Sequence, residues 1–289
     1  MLEPLRAQNR QQHCTMQTGQ SMPDGSTYHA SDGASYELFL GRWTKALAPH
    51  LLDFAEFSSD GPLLDVGTGT GSMALAMAAR WPERPIVAID IAEPYIAYAR
   101  SKPAAASISF EVGDASSLRF DNNSFSGATA QLVLNFVPNP SAALNEMKRV
   151  TRPGGVVVAA VWDFRGGLVY QRLLWDTAAG IDPQAAIARD KLFSGALALP
   201  DGLSQLFGAA GLVDVQRESI TFRMNYSNFD DYWQPLLGGQ GPFGTYVATL
   251  TLETRRKIEE AVRRAYCSGA PDGERSLTAT AWAVRGRVR

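Results

Sequence analysis

Leu64-Asp65-Val66-Gly67-Thr68-Gly69-Thr70-Gly71 is the stretch that decides the fold. An apolar strand end passes into a turn with glycine at alternate positions, and Ser72 to Arg80 beyond it are helix formers that stop before Pro82. Strand, glycine turn and helix in that order make a βα unit. Glycine there allows tight backbone geometry and lets a ligand approach the main chain closely. A dinucleotide fingerprint needs a third glycine at position 72, where Ser72 stands, and a P-loop needs a Gly-Lys-Ser/Thr ending that is absent. The spacing is GxGxG. A turn that only packs helix against strand can use the same glycines, so the flanking sequence has to decide between the two.

From Pro62 onward, short apolar runs alternate with amphipathic segments, the pattern of a parallel sheet covered on both faces. Strands are predicted at Leu63 to Val66, Ile86 to Ile89 closing on Asp90, Ile108 to Val112 closing on Gly113 and Asp114, and about Gly127 to Leu134. Helices fall at about Pro94 to Ser101 and Ser141 to Val150, the second with Leu144, Met147 and Val150 at helical spacing. Pro153, Gly154 and Gly155 break the chain before a fifth strand, Val156 to Trp162, whose nearly unbroken apolar run predicts a place in the middle of the sheet. A helix at Leu203 to Ala210 and strands at Val213 to Phe222 and Leu277 to Val284 complete a doubly wound α/β fold with a seven-stranded, mostly parallel sheet.

Residues 31–289 read as one domain with helical insertions at about 165–200 and 225–271 that could pack together as a lid. Helix is expected at Asp230 to Leu237 and Leu252 to Tyr266, and Gly238-Gly239-Gln240-Gly241-Pro242 reads as a flexible hinge loop. Residues 1–30, rich in Gln, Ser, Thr and Gly, read as a flexible tail.

Lys plus Arg total 27 against 29 Asp plus Glu, a net charge of −2 without the basic excess of a phosphate-backbone binder, so nucleic acid is not an expected partner. Cys14 and Cys267 are too few for a disulfide framework and make no zinc-site spacing, and no metal is expected. No apolar run approaches the ~18 residues of a membrane span, and the N-terminus lacks the core of a signal peptide. A cytoplasmic protein is the expectation.

Asp90 closes the second strand beside the glycine turn, where a carboxylate can accept hydrogen bonds from both hydroxyls of an unphosphorylated ribose; an exposed helix cap would use the same residue. Asp114 closes the third strand, where it could reach an adenine amino group or simply make a turn. Together with Asp65 to Gly71, Gly113-Asp114-Ala115 and Arg152-Pro153-Gly154-Gly155, this set resembles the class I S-adenosylmethionine-dependent methyltransferases. Tyr36-Glu37, Gly41-Arg42-Trp43, Gln131-Leu132-Val133-Leu134-Asn135-Phe136, and Glu146-Met147 ahead of Arg149-Val150 are similar to bacterial relatives of the ubiquinone and menaquinone C-methyltransferases. The resemblance spans about Tyr36 to Trp162, and beyond it only the strand count continues the match.

The resemblance implies a Rossmann-like methyltransferase core and S-adenosylmethionine as cofactor. It implies Asp65, Gly67, Thr68 and Gly69 beside the methionine part, Asp90 on the ribose with Ile91 on the adenine face, and Asp114 and Ala115 at the adenine edge. Gln131, Leu132 and Val133 would line the floor near the sulfonium, although Leu132 and Val133 suit a plain core equally. Tyr36 would close over the methionine end and Arg42 would pair with its carboxylate. Tyr36, Phe39, Leu40 and Trp43 also make the apolar face of an amphipathic helix.

Methyl transfer from a sulfonium is an in-line displacement in which positioning supplies much of the rate, so a base is not required. His13, His29 and His50 all precede the core, and no catalytic residue is assigned. Asn135-Phe136-Val137-Pro138 departs from the Asn-Pro-Pro-Tyr motif and argues against adenine or glutamine amide methylation. Trp175, Phe193, Phe207, Phe222, Tyr226, Trp233, Phe243 and Tyr246 could wall a pocket for an aromatic or apolar acceptor or could simply make core. The expected activity is methyl transfer to carbon or oxygen, less favourably nitrogen, of a small molecule. The alternative is a methyltransferase-like protein that binds the cofactor or its demethylated product without turnover; a nicotinamide oxidoreductase would need GxGxxG.

Overall fold

The computed structural model describes residues 32–57 and 60–289. The expectation of a flexible tail at 1–30 lies outside them, as do His13, His29 and Cys14. Before the sheet come α1 (Gly33–Tyr36), a five-residue π-helical segment (Glu37–Gly41) and α2 (Arg42–Ala55). The core then alternates β1 (Leu63–Val66), α3 (Ser72–Arg80), β2 (Ile86–Asp90), α4 (Glu93–Arg100), β3 (Ile108–Val112), β4 (Phe125–Gln131), α5 (Pro140–Val150) and β5 (Thr151–Trp162).

Seven strands form one sheet in the order β3-β2-β1-β4-β5-β7-β6, where β6 is Val213–Tyr226 and β7 is Arg275–Arg287. All pairings from β3 across to β5 are parallel, and both pairings made by β7 are antiparallel. The strand order reverses between β1 and β4, and in an open α/β sheet such a switch point opens a crevice at the carboxyl ends of the strands. Helices cover both faces. Leu47, Leu51, Met73, Met77 and Ile96 from α2, α3 and α4 pack one core, while Leu144, Met147 and Val150 of α5 pack the other with Leu203 and Phe207 of α8 (Gly202–Ala209). On α2 the buried Trp43, Leu47 and Leu51 recur every four residues, which sets one stripe of the helix against the sheet.

Three strand expectations are corrected. β4 stops at Gln131, not Leu134, because Leu132 adopts a left-handed backbone with φ of 63° and turns the chain out of the sheet, its N–H still donating to Ala160 O at 2.8 Å. β5 runs through Pro153, Gly154 and Gly155 instead of starting after them: Gly154 N–H donates to Val288 O, and Val288 N–H to Gly155 O. The central position belongs to β4; β5 is an interior strand with β4 and β7 on either side, and the apolar run reports only that both its faces are covered.

The first insertion folds as α6 (Val169–Ala179) and α7 (Pro183–Phe193), and the second as α9 (Phe229–Trp233), α10 (Gly241–Ala248) and α11 (Leu252–Cys267). They pack on each other: the Tyr232 hydroxyl donates to Tyr170 O at 2.7 Å, and the Trp175 and Phe243 rings meet edge-on at 5.2 Å. The expected hinge at 238–242 is not a free loop, since Gly241 and Pro242 open α10 and buried Gln240 accepts from the Tyr95 hydroxyl at 2.8 Å.

Candidate functional site

A cavity of about 290 Å³ opens at the carboxyl ends of β1, β2, β3 and β4. Of the residues singled out in the sequence, Tyr36, Gly67, Gly69, Asp90, Ile91, Asp114, Ala115, Gln131, Leu132 and Val133 line it. Asp65 and Thr68 line a small recess shared with Tyr36, Gly67, Thr44, Ser72 and Gln131.

Gly67 is where the turn needs glycine most. Its φ is 69°, and a Cβ there would sit 2.4 Å from Val133 Cγ2, so the turn and the chain leaving β4 touch across the switch point. Asp90 holds the turn in place. Its Oδ2 accepts from Gly69 N–H at 2.8 Å and its Oδ1 from Ala92 N–H at 2.9 Å, leaving further lone pairs on both oxygens. Burial pushes the Asp90 carboxyl above its ordinary value, and those backbone donors work against the shift. Asp114 makes the turn considered for it, its Oδ1 accepting from Ser116 N–H at 2.8 Å, and it lies on the cavity wall.

Asp65 is wholly buried at the end of β1, where burial pushes its carboxyl up to about 6. Its Oδ1 accepts from the Thr129 hydroxyl at 2.7 Å. The Gln131 amide donates to Thr44 O at 3.0 Å while its Oε1 is buried and unpaired. The Thr68 hydroxyl faces the Asp65 carboxyl and works against its rise, so Gln131 Oε1 is the acceptor left without a donor in the recess.

The segment ahead of the sheet closes one side. Tyr36 ring atoms come within 3.9 Å of where a Gly69 Cβ would stand, and the Tyr36 and Tyr95 rings lie 5.0 Å apart. Tyr36, Phe39 and Leu40 line the cavity while Phe39, Leu40 and Trp43 are buried, so the apolar face of this segment serves both the core and the cavity wall. Arg42 is held differently from Tyr36. It is absent from the cavity lining and instead pairs with Asp231 at 2.9 Å, its guanidinium 4.2 Å above the Trp43 ring and 5.0 Å from that of Tyr226. A partner from the second insertion claims it.

Of the eight insertion and late-strand aromatics, Phe243 alone lines the cavity. Trp175, Phe207, Tyr226, Trp233 and Tyr246 are core. The rings on the wall are Phe39, Phe136, Trp162 and Phe164, joined by Tyr95 and the amide of Gln171. Trp162 had a legible signal, being the last residue of an apolar strand; Gln171 had none, because one amide in an amphipathic helix looks like surface.

A family model described as a methyltransferase domain matches residues 64–159. The chain is 33% identical over 167 residues to a demethylmenaquinone methyltransferase of Roseiflexus castenholzii, covering 54% of this chain and 70% of that one. It is 33% identical over 171 residues to the protein of the same name from Shouchella clausii, covering 55% and 73%. Among solved structures it is similar to phosphoethanolamine N-methyltransferase 2 of Haemonchus contortus, in complex with phosphomonomethylethanolamine and S-adenosylhomocysteine, at TM-score 0.55 and 14% identity over 89% of this chain and 57% of that one. It is also similar to the YcgJ protein from Bacillus subtilis, at TM-score 0.51 and 18% identity over 85% and 99%.

Proposed function

Because this chain belongs to the class I S-adenosylmethionine-dependent methyltransferases, among the relatives of the quinone-pathway C-methyltransferases, we propose that its switch-point cavity binds S-adenosylmethionine and directs methyl transfer to carbon or oxygen of a small apolar molecule. The observation that carries this reading is the recess at the end of β1, lined by the Asp65 carboxyl and by Gln131, whose Oε1 is buried without a donor. The ammonium of a methionine moiety is a donor of the right kind.

The other residues fit the same group. Asp90 keeps free lone pairs for two ribose hydroxyls while its backbone contacts hold the Gly67 to Gly69 turn. Ile91 and Ala115 offer apolar surface to an adenine ring, with Asp114 at its edge. Tyr36 closes over the turn. Arg42 has no part in the reading, since Asp231 engages it.

S-adenosylmethionine, when bound, supplies an electrophilic methyl group on its sulfonium. What the protein adds is position and a dry wall. Leu132, held at a left-handed backbone angle, and Val133, pressed against Gly67, give the site a rigid floor. Phe39, Phe136, Trp162, Phe164 and Phe243 exclude water and hold an acceptor by its flat faces, and holding reactants in line supplies most of what such a displacement needs. Among the described residues no histidine, lysine or arginine lines the cavity, so the acceptor brings its own nucleophilicity. Residues 31–289 act in this reading as one domain, the two insertions forming the cover.

Calorimetric titration tests the reading. S-adenosylmethionine and S-adenosylhomocysteine are expected to bind saturably, NAD not at all, and Asp90→Ala to weaken both. A folded protein that binds neither sulfur nucleotide overturns it.

A further inference from the structure

Gln240 stands between two glycines that both take left-handed backbone angles, Gly239 at φ 74° and Gly241 at φ 64°. Main chain of that kind turns easily. Beyond it the chain folds back closely: a Cβ on Gly244 would stand 2.5 Å from Gly239 C, and Gly244 N–H donates to Gln240 O at 3.3 Å in the first turn of α10. Pro242 and Phe243 of that turn line the switch-point cavity, although Gln240 does not. The position of Gln240 therefore sets where the second insertion meets the wall.

Gln240 is 1% exposed, and its Oε1 accepts from the Tyr95 hydroxyl at 2.8 Å. Tyr95 belongs to the opposite half of the cavity, which it lines from α4. Its ring lies 5.0 Å from that of Tyr36, its N–H donates to Ala92 O, and Ala92 N–H donates to Asp90 Oδ1. A Tyr95 ring that swings away strands Gln240 Oε1 in a dry site, at the cost of a lost buried hydrogen bond. Resting on the cofactor reading, we propose that Tyr95 and Gln240 form a latch between the two halves of the cavity: a nucleotide held on Asp90 packs against the Tyr95 ring and fixes it, Tyr95 holds Gln240, and α10 closes with Pro242 and Phe243 on the wall. Gln240 is a positioning residue, acting through the two residues that follow Gly241. The pair of Arg42 and Asp231, 2.9 Å apart, pins the same insertion to α2 away from the cavity and provides the comparison.

Hydrogen exchange read by mass spectrometry on the full chain tests the latch, with and without saturating S-adenosylhomocysteine, whose affinity is measured alongside by calorimetry. In wild type the nucleotide is expected to slow exchange across residues 239–248 about tenfold. Tyr95→Phe keeps the ring and Gln240→Met keeps the volume. In each, the slowing at 239–248 should fall below about twofold while the glycine turn at 67–71 stays protected by the nucleotide, a split that a general loss of packing does not produce. Coupling is reciprocal, so the affinity of either variant should drop by no more than about the same tenfold. Arg42→Ala should keep the wild-type slowing at 239–248. Slowing that survives in both latch variants, or that Arg42→Ala removes as fully, overturns the latch. Nucleotide binding to wild type with no slowing at 239–248 overturns it too and leaves the cofactor reading standing. A folded wild type that does not bind the nucleotide overturns the cofactor reading, and the latch with it.

Discussion

The Thr70 hydroxyl donates to Glu37 Oε1 across 2.6 Å, tying the glycine turn to the π-helical segment ahead of α2. Lys102 closes the clasp from below, its Nζ donating to Glu37 Oε1 and to Thr70 O, each at 2.7 Å, and Lys45 adds a third donor. The segment that carries Tyr36, Phe39 and Leu40 to the cavity is therefore fastened to the turn it covers.

Breaking that clasp should weaken both fold and binding. Burial pushes the Glu37 carboxyl up, but the bonds from Lys102, Lys45 and Thr70 outweigh it and hold the group below its ordinary 4.5. A depressed folded value means stability that is present above the unfolded value and lost as pH falls through the folded one. Glu37→Gln is expected to cost ~1–2 kcal/mol at pH 7, with the gap to wild type closing in urea melts towards pH 4, and to weaken S-adenosylhomocysteine binding. Equal stability at both pH values would contradict the clasp.

Asp65 carries the opposite sign. Burial pushes its carboxyl up to about 6, so its contribution to stability is full below the unfolded value of 3.8 and is lost as pH rises towards 6. Asp65→Asn should therefore make the ligand-free protein more stable at pH 8, by on the order of 2 kcal/mol, with no advantage at pH 4. In wild type, affinity for S-adenosylmethionine should fall as pH drops through about 6, because protonation removes the acceptor charge. The variant should bind weakly at every pH.

Two glycines with similar backbones should differ sharply. Gly67→Ala forces a left-handed alanine and a Cβ 2.4 Å from Val133, and is expected to cost ~2–4 kcal/mol and abolish cofactor binding. Gly154→Ala meets nothing within 4 Å of the new Cβ and should cost only the ~1–2 kcal/mol of its left-handed angle, with binding intact. Thermal melts and calorimetry on the two variants separate close approach from backbone strain.

Arg42→Ala should leave affinity for S-adenosylmethionine unchanged within about twofold and lower stability by ~1 kcal/mol, the scale of a half-exposed ion pair with aromatic stacking. A large loss of affinity would restore the carboxylate-binding role that the resemblance implied.

The cofactor side of the crevice was legible because its signals are local. A glycine turn between an apolar strand and a helix, and carboxylates at strand ends, state their own placement, and Ser72 to Arg80 is helical from first residue to last. The acceptor side was not, because its wall is assembled from residues distant in sequence. Phe39, Phe136, Phe164 and Phe243 meet only after the sheet and both insertions pack, and Trp175 and Trp233, just as plausible by composition, lie in the core beneath them. The partner of Arg42 was hidden for the same reason: Asp231 is 189 residues away, in a helix whose position no local pattern reveals. Leu132 ended β4 early because a left-handed leucine is a tertiary outcome, enforced by the turn over the floor and opposed by its own propensity.

A crystal structure of the protein grown with S-adenosylhomocysteine tests the central claim most directly. The account predicts density in the switch-point cavity with the amino group at Asp65 Oδ2 and Gln131 Oε1, the ribose hydroxyls on Asp90, and the adenine between Ile91 and Ala115. An empty cavity at saturating ligand, or the nucleotide bound elsewhere, would contradict it.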